Sequence, residues 1–338
     1  MHPNAVSTPL RGSRRASRRE VLKAAAAVAL AHGVAAAQTP DTLAEPVEAD
    51  LEAVSNGKTI RIGSPATGAV VTLPLEVYVA RVLAAEADPR AADASREALG
   101  IAIRTYTLFN EARHARDGYD LCDTTHCQVL RNSSGATRRL TLASVGQILL
   151  YEGRPASLFY SASCGGFTER ASDVWPGVSY PYLQARADDV HTDDRPWTLD
   201  LPFGDVEEAL ARLGYRGTLR SAEVERRTAS GRAGSVRLNG LEPTTIGGDA
   251  FRLALGSTRV RSTAFSMVSD DEGLHFIGRG YGHGVGMCVV GANRRAQRGE
   301  SAAQILAQYY PGLQLARPTV SQNGTSSAPR PQPFPQPR

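Results

Sequence analysis

This chain of 338 residues is poor in lysine, in cysteine and in long apolar runs. Lys23 and Lys58 are its only lysines, which argues against lysine Schiff-base chemistry. Its four cysteines are too few for a scaffold stapled by disulfides. No apolar stretch reaches the roughly 18 residues of a spanning helix, so we expect no membrane span in the mature chain. Hydrophobic residues make up 42% and charged residues 21%, which excludes disorder throughout.

Positive charge is concentrated in the first 37 residues. That segment carries +5, from five arginines, one lysine and one glutamate. The whole chain carries +4, so the remainder carries −1. A basic surface of the kind that binds nucleic acid is not indicated outside this segment, and we expect no nucleic-acid partner.

Residues 1–37 have the pattern of an export signal. Arg18 and Arg19 precede the apolar run of residues 24–31, and residues 35–37 supply three alanines for cleavage. Paired arginines before an alanine-rich core resemble a twin-arginine signal. A buried helix or a single membrane anchor is the alternative, but the run is too short for a membrane span and its flanks are wrong. We expect an exported protein that acts in the periplasm or cell wall.

The rest of the chain predicts an α+β fold with one mixed domain at residues 58–315. Strand-like and helical segments alternate without a steady βαβ rhythm, which disfavours a doubly wound sheet. A β-rich insertion is expected at about 215–277. Residues 38–57 are predicted to form a flexible lead-in, and the Ser-, Gln-, Pro- and Arg-rich residues 316–338 a disordered tail.

Glu86 is the first candidate for catalysis. Leu75, Val79 and Val82 follow one another on one helix face, and Glu86 is the next position on that stripe. A carboxyl on an apolar face is costly to ionise, so its pKa rises and it suits a general acid. The alternative is a glutamate at a helix end that turns into solvent.

Residues 122–127 form a second candidate site. Cys122, His126 and Cys127 are ligand types that suit a tetrahedral zinc ion, and His114 is the nearest candidate in sequence for a fourth ligand. A local disulfide, or two buried thiols beside a loop histidine, are the alternatives.

Two glycine-rich segments lie at residues 161–169 and 278–288. The second has five glycines at alternate positions, which excludes an ordinary strand or helix, and it lacks the dinucleotide-binding fingerprint. A cleft for a sugar or peptide with His283 exposed in it is one interpretation, and close backbone packing is the other. If the segments face each other, Cys164 and Cys288 can form a disulfide. Cys164 as a nucleophile is a minor alternative.

Taken in order, these motifs resemble the SpoIID/LytB family, the stage II sporulation protein D and amidase-enhancer proteins of the bacterial cell wall. The resemblance covers residues 58–312. It rests on the stretches LEVYVARVLAAEAD at 75–88, IRTY at 103–106, CDTTHCQVL at 122–130, SASCGGFTE at 161–169, VW at 174–175, PYL at 181–183, the glycine-rich 278–292 and YYPG at 309–312.

The resemblance implies a lytic transglycosylase acting on peptidoglycan glycan strands, with sporulation members preferring strands stripped of stem peptides. The family's catalytic glutamate falls on Glu86. The reaction needs no cofactor, although some members bind zinc near residues 122–127. A cell-wall amidase is an implied partner. Seven residues are expected to line or brace the sugar groove: Arg104, Tyr106, Ser161, Ser163, Gly165, Gly166 and His283.

Two further functions compete with this one. The first is a non-catalytic glycan-binding protein that modifies an amidase, and the second is a zinc hydrolase built on the Cys122 cluster. The chain also departs from the family pattern at Glu97, Leu99 and Val289, which affects the expected glycan contacts but leaves Glu86 in place.

Overall fold

The computed structural model describes residues 45–190 and 195–318. The expected export signal and nearly all of the expected tail lie outside these residues. Within the described part, no helix is both long and apolar enough to cross a bilayer.

Helix α1 (Glu48–Val54) packs beside the first hydrophobic core, in a small cluster of its own. Leu51 of this helix is fully buried and packs against Val77 and Ala80. Arg81 also holds α1 through two hydrogen bonds to the Glu48 carboxylate. The expectation of a flexible lead-in is therefore wrong for residues 48–54, because one apolar anchor and one ion pair dock them.

Two helices form the centre of this first core. Strands β1 (Thr59–Gly63) and β2 (Val70–Pro74) pair antiparallel, and α2 (Leu75–Glu86) begins directly after them. Helix α3 (Asp93–Phe109) packs on α2. The apolar stripe of α2 is buried as its spacing predicted, with Val79 and Val82 both at 0% exposure.

Short elements complete this half of the chain. They are a 3-10 turn (Ala115–Asp117), β3 (Leu121–Cys122), α4 (Gly135–Ala143), β4 (Ile148–Tyr151), β5 (Arg154–Pro155), β6 (Tyr160–Ser161), β7 (Phe167–Thr168), α5 (Ala171–Val174) and β8 (Arg186–Ala187). β3 joins β1 in parallel, and β4 and β5 form a hairpin.

A second hydrophobic core is built from the following residues. Its elements are β9 (Trp197–Leu201), α6 (Phe203–Ala211), β10 (Arg216–Arg227), β11 (Ala233–Glu242), β12 (Thr245–Gly247), α7 (Gly248–Ala254), β13 (Phe265–Ser269) and β14 (Leu274–Gly278). They form two three-stranded sheets, in the orders β10-β11-β12 and β13-β14-β9. The β-rich insertion starts earlier than expected because β9 pairs along the whole of β14, and α7 interrupts what the sequence presented as strand.

The chain then returns to the first core through β15 (Met287–Cys288), α8 (Val289–Gln297), α9 (Ala302–Tyr309) and β16 (Gln314–Ala316). β15 pairs in parallel with β6, and β16 pairs with β4. Helices and small, open sheets thus mix in one body, which confirms the α+β class. The glycine-rich segment lies where the chain crosses from the second core to the first.

Candidate active site

A cleft of about 320 Å³ is lined by residues from both cores. The first core and the glycine-rich crossing contribute the predicted Glu86, Tyr106, Ser161 and His283, together with Phe159, Tyr160, Trp175 and Tyr281. The second core contributes what we term the insert wall: Asp249, Arg252, Leu253, Ser257 and Thr258, from α7 and the loop after it. No pattern in the amino-acid sequence indicated that the insertion reaches this cleft.

Glu86 is the last residue of α2 and borders this cleft. Burial raises the pKa of its carboxyl because the charged carboxylate is poorly hydrated there. A hydrogen bond with the Val129 backbone and the charge of Arg131 oppose this effect without cancelling it. The carboxyl therefore keeps its proton to a higher pH than an ordinary glutamate, as its place on the apolar stripe predicted.

Gln128 joins two buried phenols, and one of them, Tyr160, lies near Glu86. Gln128 Nε2 donates to Tyr160 Oη at 2.9 Å, and Tyr78 Oη donates to Gln128 Oε1 at 2.9 Å. Burial is the main cause that raises the pKa of Tyr160, and the charge of Glu86 raises it further. Tyr106 also lines the cleft with a pKa raised by burial, so both phenols stay protonated at neutral pH. Sequence reasoning missed Gln128, since a lone glutamine in a loop carries no pattern.

His283 lines the cleft as expected, but its ring is held rather than exposed. Its Nδ1 accepts a hydrogen bond from the Val285 amide at 3.0 Å, and its ring centroid lies 5.0 Å from that of Trp175. Burial, followed by the charges of Arg252 and Arg232, lowers the pKa of His283 to about 3. The imidazole is therefore neutral throughout the physiological range.

Four of the predicted groove residues lie away from the cleft lining. Arg104 is fully buried, where its Nε and Nη2 donate to both oxygens of Glu76 at 2.6–3.1 Å, so it braces the core. Ser163 pairs through its backbone with Tyr281. Gly165 has a φ of +71°, and both it and Gly166 form a turn. A β-carbon at Gly165 would press on the backbone of residues 279–280, so close packing of the two loops explains this glycine.

The predicted metal ligands come together with a fourth residue, His114. One ligand atom from each of His114, Cys122, His126 and Cys127 lies within 4.8 Å of every other. His114 Nε2 is 3.3 Å from His126 Nδ1 and 3.4 Å from Cys127 Sγ. The other His114 nitrogen, Nδ1, is 2.8 Å from the Asp117 carboxylate, which fixes the ring so that Nε2 is available as a ligand. Two thiols and two imidazoles at these separations fit a tetrahedral zinc ion.

Cys164 and Cys288 also lie close together, as expected if the two glycine-rich segments face each other. The Cys164 amide donates to Cys288 Sγ at 3.2 Å, and both sulfur atoms lie within 4.8 Å of an oxygen of the buried Asp188. Cys164 is 1% exposed and does not line the cleft, which excludes it as a nucleophile acting there.

Family models of known proteins match parts of both cores. The sequence model described as "Stage II sporulation protein" (SpoIID) matches residues 64–151, and a domain of unknown function, DUF8618, matches residues 197–286. The first match contains Glu86 and the Cys/His cluster. The second contains the insert wall and His283, so the cleft is shared between the two matched regions.

Three relatives are similar to this chain over more than half of its length. An uncharacterized protein of Brachyspira hyodysenteriae is 30% identical, over 72% of this chain and 67% of the relative. Stage II sporulation protein D of Bacillus subtilis is 26% identical, over 76% of this chain and 79% of the relative. The amidase enhancer of Bacillus subtilis is 27% identical, over 64% of this chain but 37% of that longer protein.

Proposed function

Since the chain belongs to the SpoIID family, we propose that it is a lytic transglycosylase acting on peptidoglycan glycan strands, with Glu86 as its general acid and base. The bond cleaved is the one between N-acetylmuramic acid (MurNAc) and N-acetylglucosamine (GlcNAc). The observation that carries this proposal is the position of Glu86: a carboxyl with a raised pKa at the edge of a cleft large enough for sugar rings.

One carboxyl suffices for both proton transfers. Glu86 first donates its proton to the glycosidic oxygen as the bond from that oxygen to the MurNAc anomeric carbon breaks. The resulting carboxylate then takes the proton from the MurNAc C6 hydroxyl as its oxygen bonds to the same carbon. The products are a free GlcNAc C4 hydroxyl and a 1,6-anhydroMurNAc end, and Glu86 regains its acid form. Ordinary glycosidases, in contrast, use a pair of carboxyl groups.

The surrounding residues support this assignment. Tyr106 and Tyr160 are protonated phenols on the cleft surface, and a phenol can donate a hydrogen bond to a sugar oxygen. Ser161 lines the same cleft, and its buried Oγ has no hydrogen-bond partner among the described residues. His283 is neutral and cannot act as a competing acid at neutral pH.

We also propose that the Cys/His cluster holds a structural zinc ion. All four tetrahedral positions would be filled by His114, Cys122, His126 and Cys127, which leaves no open position for a water or substrate. A closed site of this kind argues against the zinc hydrolase. Zinc would instead join the segment that carries His114 to the loop that carries His126 and Cys127. His126 and Cys127 also line the cleft.

The proposed setting is the cell wall outside the cytoplasmic membrane, reached through the export signal. The amidase enhancer among the relatives favours one second function, a glycan-binding protein that modifies a cell-wall amidase. Both functions need the cleft, but only transglycosylation needs Glu86 as an acid.

Digestion of purified strands separates the two functions. Intact and amidase-treated strands are incubated with the wild type, with Glu86→Gln and with Glu52→Gln, a control at an exposed glutamate on α1. We expect 1,6-anhydro products by mass spectrometry from the wild type and the control but not from Glu86→Gln. Strand binding by the folded, zinc-loaded wild type without any anhydro product would instead support the amidase-modifying function.

A further inference from the structure

The insert wall brings a cation to the cleft that the proton transfers do not require. Arg252 lies on α7, and its side chain is 8% exposed. Its Nη1 donates to Asp249 Oδ1 at 3.2 Å, and its Nε donates to the Arg261 carbonyl at 3.4 Å. Asp249 and the carbonyl thus fix the guanidinium plane against the wall, which lowers the entropy lost when it binds a ligand.

One edge of this guanidinium is still available. Nη2 forms no hydrogen bond to any residue in the described part of the chain, and it is not among the polar atoms sealed from solvent. Arg252 is among the residues that line the cleft, so this edge belongs to the cleft wall. An ordered guanidinium with a free N–H edge in a cleft is suited to an anionic oxygen.

The charges around Arg252 also favour an anion. Its hydrogen-bonded carboxyl is Asp249, whose pKa burial raises although the charge of Arg252 opposes that shift. A second buried cation, Arg232, adds to the local positive field. The charges of both arginines also act on the neighbouring His283, whose pKa they lower because they disfavour a proton on its ring.

Glycan strands offer one anion that this edge can recognise. Their sugar rings are neutral, and the lactyl group at C3 of MurNAc ends in an amide while the stem peptide is attached. Removal of the peptide converts that amide into a free carboxylate. The lactyl group also lies on the same sugar whose anomeric carbon reacts, so it enters the cleft with the bond that is cleaved.

We propose that Arg252 binds the free lactyl carboxylate of MurNAc, and that the insert wall thereby selects strands without stem peptides. This proposal rests on the proposed function for the identity of the ligand. Leu253 and Tyr281, at 49% and 41% exposure, add apolar surface beside Arg252 on which sugar rings can pack. The inserted core would therefore be the part of the protein that reads the state of the substrate.

Three substrates distinguish the sources of a carboxylate. They are stripped strands, stripped strands whose lactyl carboxylates have been converted to methylamides, and intact strands, whose carboxylates belong to the peptide. We expect the wild type to lose about ten- to a hundred-fold in kcat/KM on amidation. Arg252→Gln should show a similar loss on stripped strands and little further loss on amidated ones. Arg212→Gln, at an exposed arginine outside the cleft, should behave as the wild type.

Two further variants separate folding from recognition. Asp249→Asn/Arg252→Gln removes the partner that Arg252→Gln would leave buried, and Arg252→Lys keeps the charge but loses the planar fork. We expect the double variant to remain folded by thermal melting and to have lost discrimination. Equal activity of the wild type on stripped and amidated strands, or an Arg252-dependent preference for intact strands, would overturn the proposal.

The affinity of Glu86→Gln for the three strands tests recognition separately from catalysis. Tighter binding to stripped than to amidated strands, abolished by Arg252→Gln in the same background, is the expected result. That result would hold even if the wild type produced no anhydro sugar, in which case the proposed chemistry alone would fail. Binding that is indifferent to amidation would refute the role of Arg252.

Discussion

Replacing Arg104 by methionine should destabilise the first core without touching the cleft. The side chains of Arg104 and Glu76 are 1% and 3% exposed, and they join α3 to α2 through three N–H···O contacts. The pair also fixes the turn before β4, because Arg104 Nη1 donates to the Gln147 carbonyl at 3.0 Å and Glu76 Oε1 accepts from the Gly146 amide at 3.3 Å.

The size of the effect follows from what each substitution leaves behind. Arg104→Met leaves the Glu76 carboxylate buried without its counter-charge, which typically costs about 3–5 kcal/mol in free energy of unfolding. Glu76→Gln leaves the guanidinium in the same position and should cost a similar amount. Glu76→Met/Arg104→Met removes both charges, so its loss should be well below the sum of the two single losses.

Urea denaturation monitored by tryptophan fluorescence measures these losses. Trp175 lies in the first core and Trp197 in the second, so a Trp197→Phe background reports on the core that contains the pair. Glycan binding is measured on each folded variant. An Arg104→Met protein with wild-type stability and no glycan binding would refute the structural role and restore Arg104 to the substrate groove.

Three other consequences of the structure can be measured. Because burial raises the pKa of Glu86 in the folded state, the stability that the neutral acid contributes is present at low pH and is lost as pH rises through that folded pKa. Glu86→Gln should therefore have a higher melting temperature than the wild type at pH 7, and the difference should disappear by about pH 3. An equal difference in melting temperature at both pH values would contradict ionisation of a buried carboxyl. The purified chain should carry one zinc ion by metal analysis, and Cys122→Ser should lower both that ratio and the melting temperature; unchanged zinc content would place the metal elsewhere. The ring of His283 should keep the NMR shifts of a neutral imidazole from about pH 5 to pH 8, and a titration step in that range would show that the ring is not held as described.

Sequence patterns predicted those features of the site that depend on residues close together in the chain. The stripe that ends in Glu86 is a property of one helix, so its burial and the raised pKa followed from spacing alone. Cys122, His126 and Cys127 lie within six residues, and the turn at Ala115–Asp117 returns the chain so that His114 reaches them.

Contacts between distant segments were not accessible in the same way. Arg104 belongs to a motif shared with the family, but a motif does not say whether a side chain faces a groove or a buried partner such as Glu76. Asp249 and Arg252 lie more than 160 residues after Glu86, in a region whose alternation predicted strands. Helix α7 instead begins at Gly248, with Asp249 in its first turn.

The glycine-rich crossing explains why these distant segments form one cleft. Gly284 and Gly286 have φ values of +79° and +74°, which residues with a β-carbon rarely adopt. A β-carbon at Gly286 would overlap the Phe159 carbonyl oxygen beside β6, and one at Gly284 would overlap the guanidinium of Arg232 from the second core. The crossing therefore lies against both cores at once, and His283 within it contacts Trp175 of the first core while lining the same cleft as Arg252 of the second. Because neither glycine has space for a β-carbon, the two cores meet closely at this crossing, and one cleft combines an acid from one matched region with a cation from the other.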